Sequence, residues 1–199
     1  KRSRSAVRGW QGKFPSRKLN RTVRARSHLE LRYIELLEFD PGVEVFVEQP
    51  CRLTYADNQR QRTAIPDFYV EGTTGAAFVE IKWEEDAASP ANEARWPLIG
   101  AAFNELGYEY RVVTERTILR EPRSGNVTAL LRRRRQPLPP LEVIKLASGD
   151  DFVGLRSMDE IRHHYVGVPD DDLLRLVARG ILHVDLDQPL HASPPITSD

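Results

Sequence analysis

A tight β hairpin in the middle of the chain constrains the fold more than any other feature of the sequence. Residues 65–70 are typical of a strand, and a second strand is predicted over 76–83. Gly72-Thr73-Thr74-Gly75 lies between them and supplies a glycine-flanked turn. Strands joined so closely pair with each other, and their side chains alternate between the two faces of a sheet.

Charged side chains fall at the matching ends of these two strands. Glu80 and Lys82 are two residues apart and share one face, while Val79 and Ile81 point into the core. Asp67, near the start of its strand, lies opposite the end of the next strand. The hairpin therefore gathers two carboxylates and one ammonium group.

This set of groups suits phosphodiester hydrolysis. Oxygen ligands hold Mg²⁺ while the ion keeps waters and phosphate oxygens in its shell. The ion polarises the phosphate and helps to generate hydroxide, and a lysine adds a movable positive charge. The structural alternatives are an exposed cross-strand ion pair between Glu80 and Lys82, and an Asp67 that only begins a strand after Pro66.

Helices and further strands are predicted around the hairpin. Apolar spacing and end signals predict helices over 27–39, 90–106 and 124–134. Strands are predicted over 43–47, 52–55 and 108–114. Ser27 and Glu30 also fit a capping box at the start of the first helix.

The C-terminal part of the chain is set off by a proline-rich linker at 136–140. Beyond it we predict a strand over 143–146, helices over 157–165 and 169–179, and a strand over 181–186, which suggests a small winged-helix-like module. The predicted domains are a basic N-terminal arm at 1–26, an α/β domain with the charged cluster at 27–135, the linker, and the module at 141–199.

The net charge of zero conceals a strong asymmetry. Residues 1–26 contain ten Lys and Arg and no acid, whereas acidic residues dominate after Pro140. This suggests a polyanion partner at one end and a protein partner at the other, although a solvated, partly disordered arm is the alternative. The candidate contacts to DNA phosphates are Arg21, Arg24, Arg26, Arg95, Arg132 and Arg133. A solvated helix end is the alternative for the last two.

Cysteine usage and hydropathy indicate the compartment. Cys51 is the one cysteine, so an intrachain disulfide is excluded and a reducing, cytoplasmic setting is expected. The sequence contains no apolar run of about 18 residues, which argues against a membrane partner. No secretory signal follows the basic start of the sequence.

Several short segments together resemble a known nuclease family. Pro66-Asp67 followed by Glu80-Ile81-Lys82 is similar to the PD-(D/E)xK core of restriction-endonuclease-like folds. The chain resembles the TnsA endonuclease subunit of heteromeric transposases over about residues 27–120. The segments that carry this resemblance are, in chain order, Ser27-His28-Leu29-Glu30, Leu37-Glu38-Phe39-Asp40-Pro41, Glu48-Gln49-Pro50, Pro66-Asp67-Phe68, Glu80-Ile81-Lys82 and Val112-Val113-Thr114-Glu115. The resemblance implies a central mixed sheet flanked by helices.

The resemblance also implies roles for individual residues. Asp67 and Glu80 would bind Mg²⁺, for which Mn²⁺ can substitute, with the Ile81 carbonyl as a third ligand. Lys82 would assist the attacking water, and Glu30 would complete the site, although capping the first helix explains that residue equally well. Gln49 either contacts the metal-binding residues and helps to position them, or is an ordinary polar residue at the end of a strand. Some members of the family carry Gln at the position of Glu80.

At the level of function, the resemblance implies an endonuclease that cuts the 5′, non-transferred strand of double-stranded DNA at transposon ends. A TnsB-like recombinase would cut and join the 3′ ends, and a TnsC-like AAA+ ATPase would regulate both enzymes. Two alternatives remain open: a restriction or repair endonuclease that acts alone, and a non-catalytic adaptor that bridges DNA and an ATPase.

Overall fold

The computed structural model describes residues 10–58, 60–148 and 157–191. The chain divides into two compact units, the first ending at Leu119 and the second beginning at Arg120. The first unit contains, in chain order, β1 (Gly12–Ser16), β2 (Arg21–Ala25), α1 (His28–Phe39), β3 (Val43–Glu48), β4 (Leu53–Asp57), β5 (Arg60–Ala64), β6 (Phe68–Gly72), β7 (Gly75–Lys82), α2 (Glu84–Ala87), α3 (Pro90–Glu105), β8 (Glu109–Thr114) and α4 (Glu115–Ile118). The second contains α5 (Arg123–Arg133), α6 (Leu141–Ser148), α7 (Met158–His164) and α8 (Asp170–Ala178).

The central sheet has four strands in the order β3-β6-β7-β8. The pairs β3–β6 and β6–β7 are antiparallel, whereas β7 and β8 are parallel, so the predicted mixed sheet is confirmed. In the β6–β7 hairpin Gly72 pairs with Gly75, which leaves Thr73 and Thr74 as the turn. Gly72 is required because a Cβ there would lie 1.9 Å from the carbonyl oxygen of Gly42.

Helices cover both faces of the sheet. Phe78 of β7 packs with Ile99 and Phe103 of α3 on one face. On the other face Tyr33 of α1 meets Phe68 of β6 edge to face, with ring centroids 5.5 Å apart. The face that carries Glu80 and Lys82 is therefore the face of β7 that packs against α3.

The basic N-terminal segment contains a hairpin that the sequence did not predict. β1 and β2 are antiparallel and bury Phe14 and Val23 against the rest of the first unit. Its turn is held by the buried carboxylate of Glu38, which accepts the Ser16 hydroxyl at 2.6 Å and the Arg17 N–H at 3.0 Å. Pro15 interrupts the usual strand pattern, yet an edge strand tolerates a proline because one of its sides needs no hydrogen bonds.

A second hairpin, β4–β5, forms a two-stranded sheet of its own. The sequence predicted the first of its strands but not β5, because only Ala64 in that strand is buried. Asn58 in the connecting turn has φ +46°, a conformation that asparagine tolerates better than most residues.

The second unit is helical over its described residues. The strand predicted over 143–146 is wrong, because this segment lies inside α6. The Pro140 carbonyl accepts hydrogen bonds from the N–H groups of Val143 and Ile144, and the helix begins there. These bonds outweigh the preference of these two β-branched residues for strands. The strand predicted over 181–186 is also wrong, since no strand is present among the described residues of this unit. The predicted helices at 157–165 and 169–179 are confirmed as α7 and α8, but the winged-helix-like arrangement is not.

The sequence favours α5 as the last element of the 27–135 domain, whereas the contacts of α5 lie within the second unit. The buried Asn126 donates to the carbonyls of Leu186 and Gln188, both at 2.9 Å. Arg134 donates to the carbonyl of Ala178 at 2.8 Å.

Within the described ranges, none of the helices combines the length and the hydropathy of a membrane-spanning segment.

Candidate active site

The β6–β7 hairpin brings the three predicted catalytic groups together. Phe68 pairs with Val79, so Asp67, directly before β6, lies beside the end of β7. The Ile81 N–H donates to Oδ2 of Asp67 at 2.7 Å. This bond fixes the Asp67 carboxylate against the strand that carries Glu80 and Lys82.

Lys82 lies at the centre of the group. Its Nζ donates to Oε1 of Glu80 at 2.6 Å and to the Ile81 carbonyl at 3.2 Å, and it is 3.8 Å from Oδ2 of Asp67. These three oxygens belong to the three residues that were predicted to bind a metal ion. One ammonium group therefore occupies the space between the expected ligands.

Burial makes the charges in this cluster costly. Glu80 is only 5% exposed. Burial raises the pKa of Glu80, and the nearby charge of Asp67 raises it further. Burial likewise raises the pKa of Asp67, with Lys82 opposing the shift. Burial works to lower the pKa of Lys82, but the two carboxylates outweigh it and raise that pKa. Two partly desolvated carboxylates thus share one permanent cation.

Glu30 caps α1 and also lies within electrostatic reach of the cluster. Its Oε2 accepts the Arg26 N–H at 2.8 Å, and its Oε1 accepts the Ser27 hydroxyl at 3.0 Å. The predicted capping box is therefore modified, because the backbone donor is Arg26 and not Ser27. Burial raises the pKa of Glu30, the Arg26 N–H opposes this, and the charge of Asp67 raises it further.

Gln49 supports Asp67 through the main chain. Its N–H donates to the Asp67 carbonyl at 2.9 Å, and its own backbone has φ +46°. A left-handed conformation is uncommon for a residue other than glycine and marks a position that the surrounding structure holds in place. The contact agrees with a supporting position, while any role of the amide side chain stays a prediction.

The predicted DNA-binding arginines have different environments. Arg26 is close enough for its charge to lower the pKa of Asp67, although burial raises that pKa more strongly. Arg21 is already engaged by Glu48 through two bonds of 2.9 and 2.6 Å. Arg24 is exposed on β2. In the second unit Arg132 is exposed, whereas Arg133 lies 3.4 Å from Asp171.

Arg95 and Tyr110 also belong to the surroundings of Glu80. The Arg95 guanidinium lies 5.1 Å from the ring centre of Trp96, and its charge acts on Glu80 and Lys82. The Tyr110 hydroxyl is buried and has no hydrogen-bond partner in the part of the chain that the structure describes. Burial and then the charge of Glu80 raise the pKa of Tyr110. Tyr110 is not predicted from the sequence, because a tyrosine in a strand usually only packs.

No preformed three-carboxylate metal site exists in the described ranges. Among those residues, no three His, Cys, Asp or Glu side chains are grouped so that they could hold a metal ion. Glu30 is turned toward Arg26 and Ser27, and the Lys82 ammonium lies between Glu80 and Asp67. The donor atoms are nevertheless hard oxygens with an excess of negative charge, which is the chemistry that Mg²⁺ prefers.

Comparison with known proteins identifies the region that contains this cluster. Residues 40–115 match the family described as TnsA-like endonuclease N terminal. The matched region includes Gln49, Asp67, Glu80 and Lys82 and ends before the second unit. A search among curated proteins gave no match. The resemblance found in the sequence is therefore confirmed for residues 40–115, which are similar to the N-terminal domain of TnsA-like endonucleases.

Proposed function

We propose that this chain is a metal-dependent DNA endonuclease that cuts the 5′, non-transferred strand at transposon ends. The observation that supports the proposal most directly is the cluster of Asp67, Glu80 and Lys82 at the end of the β6–β7 hairpin, inside the TnsA-like region. A non-catalytic domain has no evident need for one buried and one partly buried carboxylate around one lysine.

The donor set fits Mg²⁺, and Mn²⁺ in its place. Asp67 and Glu80 would hold the ion together with the Ile81 carbonyl, because the oxygens of all three residues already surround one cation, the Lys82 ammonium. When bound, the ion supplies polarisation of the scissile phosphate and a lowered pKa for a coordinated water. Burial raises the pKa values of both Asp67 and Glu80, and the charge of Asp67 raises that of Glu80 further. A divalent cation bound between the two carboxylates would compensate for their partial desolvation.

Lys82 has the most exposed side chain of the three. Its side chain is 30% exposed, compared with 7% for Glu80, so the ammonium has room to leave the carboxylates toward solvent. Displaced in this way, it would orient the attacking water or meet the charge that develops on the phosphate. Glu30 would keep the start of α1 in place beside Asp67 through its bonds to Arg26 and Ser27.

The reaction is a hydrolysis. A water oxygen forms a bond to phosphorus while the bond from phosphorus to O3′ breaks. The proton released by the water is balanced by the proton that the leaving O3′ takes up. The products are a 5′-phosphate and a 3′-hydroxyl.

The biological context follows from the family likeness. We propose that a TnsB-like recombinase makes the 3′ cuts and that a TnsC-like AAA+ ATPase regulates both subunits. A stand-alone endonuclease would cut DNA in Mg²⁺ without these partners. An adaptor would retain its function in transposition without Asp67.

The proposal is tested by a strand-specific assay on labelled transposon-end DNA in Mg²⁺ with the recombinase and the ATPase present. We expect the wild type to cut the 5′ strand and Asp67→Ala to leave only 3′ cuts, which the recombinase makes and which serve as the internal control. The appearance of 3′ cuts without any 5′ cuts from the wild type would contradict the proposal and favour the adaptor.

A further inference from the structure

The β4–β5 hairpin is connected directly to the candidate active site. It leaves the main fold shortly after Gln49, whose N–H bonds to the Asp67 carbonyl, and it ends at Ala64, just before Asp67. Both of its connections therefore reach the residue that is proposed to bind the metal ion. A surface on this hairpin is positioned for contact with the same substrate.

One face of the hairpin fixes it to the body of the first unit. Leu53, Tyr55 and Ala64 are buried and form one core cluster with Phe78 of β7 and Ile99 and Phe103 of α3. Because this face is packed, the ribbon keeps its orientation relative to the sheet that carries Glu80 and Lys82.

The other face is polar, uncharged and exposed. Thr54 pairs across the strands with Thr63, and Ala56 pairs with Gln61. All four side chains are exposed, and because strand side chains alternate, they project away from the packed face. Hydroxyl and amide groups both donate and accept hydrogen bonds, and the methyl groups of threonine and alanine contact thymine methyl groups.

Arginines lie at the ends of the ribbon, but not all of them on this face. Arg52 directly precedes β4, whereas Arg60 pairs with Asp57 and Arg62 pairs with Tyr55, which places these two on the side of the packed residues. Arg52, Arg60 and Arg62 are exposed, and Asp57 is the one acid in residues 52–63, which gives a charge of 3 − 1 = +2 for the segment. Asp57 lies 3.3 Å from Arg62. Arg52 and Arg60 form no ion pair with any residue in the described ranges. The positive charge at the ends of the ribbon thus matches a polyanion, whereas its polar face offers uncharged hydrogen-bonding groups.

A cavity adjoins the packed side of the ribbon. It has a volume of about 320 Å³ and lies between the hairpin and α3, with Arg62 on one wall and Arg95 on the other. Nε of Arg95 is buried without a hydrogen-bond partner among the described residues. The charge of Arg95 also acts on Glu80 and Lys82. This cavity therefore offers two guanidinium groups to a backbone phosphate, one of them paired with the Asp57 carboxylate that lines the same cavity.

We propose that the β4–β5 ribbon enters the major groove of the substrate duplex beside the point of cleavage. The inference rests on the proposed nuclease function. Thr54, Gln61 and Thr63 face the base edges, while Arg52 before β4 and Arg60 next to the turn contact phosphates from the two ends of the ribbon. The major groove, about 12 Å wide, admits a two-stranded ribbon without deformation, whereas the minor groove, about 6 Å wide, must widen to take one. The nuclease subunit would then contribute to base recognition itself.

The choice of the major groove is tested by measuring equilibrium binding of the protein to a short labelled duplex. Ca²⁺ replaces Mg²⁺ so that the strands stay intact. The same duplex is prepared with glucosylated hydroxymethylcytosines, which fill the major groove, and separately with netropsin bound in the minor groove. We expect the major-groove modification to weaken binding by about tenfold, and netropsin to change it by less than about twofold. Binding that is sensitive to netropsin alone would overturn the inference.

The residues are tested by three double variants. Arg52→Ala with Arg60→Ala is expected to weaken binding and to lower the slope of log affinity against log salt by about two, one for each phosphate contact. Arg52→Lys with Arg60→Lys keeps the charge and is expected to keep the slope. Gln61→Ala with Thr63→Ala is expected to weaken binding without a change in slope. Wild-type affinity and slope in the first variant would overturn the inference.

Cleavage assays on the same samples separate this inference from the proposed function. If the wild type cuts DNA and the arginine variant binds and cuts as well as the wild type, the ribbon inference alone fails. If the ribbon variants lose binding but the wild type never cuts, the nuclease proposal fails and the ribbon stands. If the wild type does not bind the duplex, both fail.

Discussion

At the scale of single residues, the candidate active site brings together charged groups that the stability of the fold does not require. Asp67 and Glu80 are partly desolvated, share the Lys82 ammonium, and raise the energy of each other's ionised form. In the absence of a bound ion such a cluster costs stability, because a partly buried charge without full compensation is unfavourable.

Neutral replacements at these positions should therefore preserve or increase stability. We expect Asp67→Asn and Glu80→Gln to raise the free energy of unfolding by up to about 1 kcal/mol when metal ions are chelated. Lys82→Met leaves the two carboxylates without their cation and should lower the free energy of unfolding by about 3 kcal/mol. Urea unfolding of the three variants checks both signs. A large loss of stability in Asp67→Asn would show that this carboxylate has a structural role.

A second prediction concerns the pH dependence of the pair between Arg21 and Glu48, which ties β2 to β3. Partial burial works to raise the pKa of Glu48, but hydrogen bonds from Arg21 and from backbone N–H groups outweigh it and lower that pKa. A lowered pKa in the folded state means that the pair contributes stability above the unfolded pKa of about 4.3 and loses it as the pH falls through the folded pKa.

We therefore expect Glu48→Gln to cost about 0.5 kcal/mol at pH 7, since the pair is partly exposed and screened by solvent, and to cost progressively less as the pH falls below about 4. Chemical unfolding at several pH values measures the difference. Glu44→Gln, an exposed glutamate on the same strand, is the matched control and should show little change at any pH. An equal loss at acidic and neutral pH would contradict the assignment to the ion pair.

Residue-level prediction succeeded where strand geometry alone determines the neighbours. The meeting of Asp67, Glu80 and Lys82 follows from alternation and a short turn. The Arg26 donor to Glu30 could not be predicted, since it depends on how β2 leads into α1. The position of Tyr110 beside Glu80 depends on the parallel pairing of β7 with β8, which no local pattern encodes.

At the scale of elements, periodicity predicted those that bury a regular stripe of apolar residues. The boundaries of α1, α3 and β7 agree with the prediction within one or two residues. The β1–β2 hairpin and β5 were missed because each strand buries only one or two residues beside basic neighbours. The α6 segment was assigned as a strand because the β preference of Val143 and Ile144 was given more weight than the helix start at Pro140.

The packing of α3 on the sheet gives a prediction at this scale. Phe103 is 1% exposed and stacks on Phe78, with ring centroids 4.2 Å apart and planes inclined by 21°. We expect Phe103→Ala to lower the free energy of unfolding by about 3 to 5 kcal/mol, because it leaves a cavity between α3 and β7. Leu106→Ala, at a position 62% exposed at the end of the same helix, is the control and should cost less than about 0.5 kcal/mol. Equal effects in thermal unfolding would contradict this account of the core.

At the scale of the whole molecule, the chain consists of two compact units with their own internal contacts. The catalytic candidates and the region matched by the TnsA-like family lie in the first unit. Asn126 connects α5 to the segment after α8 in the second unit through two buried bonds to carbonyl groups. Such long-range bonds are invisible in the sequence, which is why the proline-rich segment looked like the natural boundary.

Separate units predict a local response to a local defect. Asn126→Ala leaves the carbonyls of Leu186 and Gln188 without their donor and should cost about 1 to 3 kcal/mol. In amide hydrogen exchange we expect faster exchange in α5 and α8 and unchanged exchange in β6 and β7. Arg132→Ala, an exposed change on the same helix, should leave both patterns intact. Faster exchange throughout the chain would show that the two units unfold together.

The central claim is that Asp67 and its two neighbours perform the cleavage, and the rate of DNA strand cleavage in Mg²⁺ by Asp67→Asn tests it most directly. The variant removes one charge and keeps an oxygen that can accept the Ile81 N–H. Glu44→Gln, which removes an exposed charge elsewhere in the same unit, is the matched control. We predict that Asp67→Asn is as stable as the wild type and cuts the 5′ strand at least about a thousandfold more slowly, while the control cuts normally. Cleavage by Asp67→Asn at the wild-type rate would contradict the account.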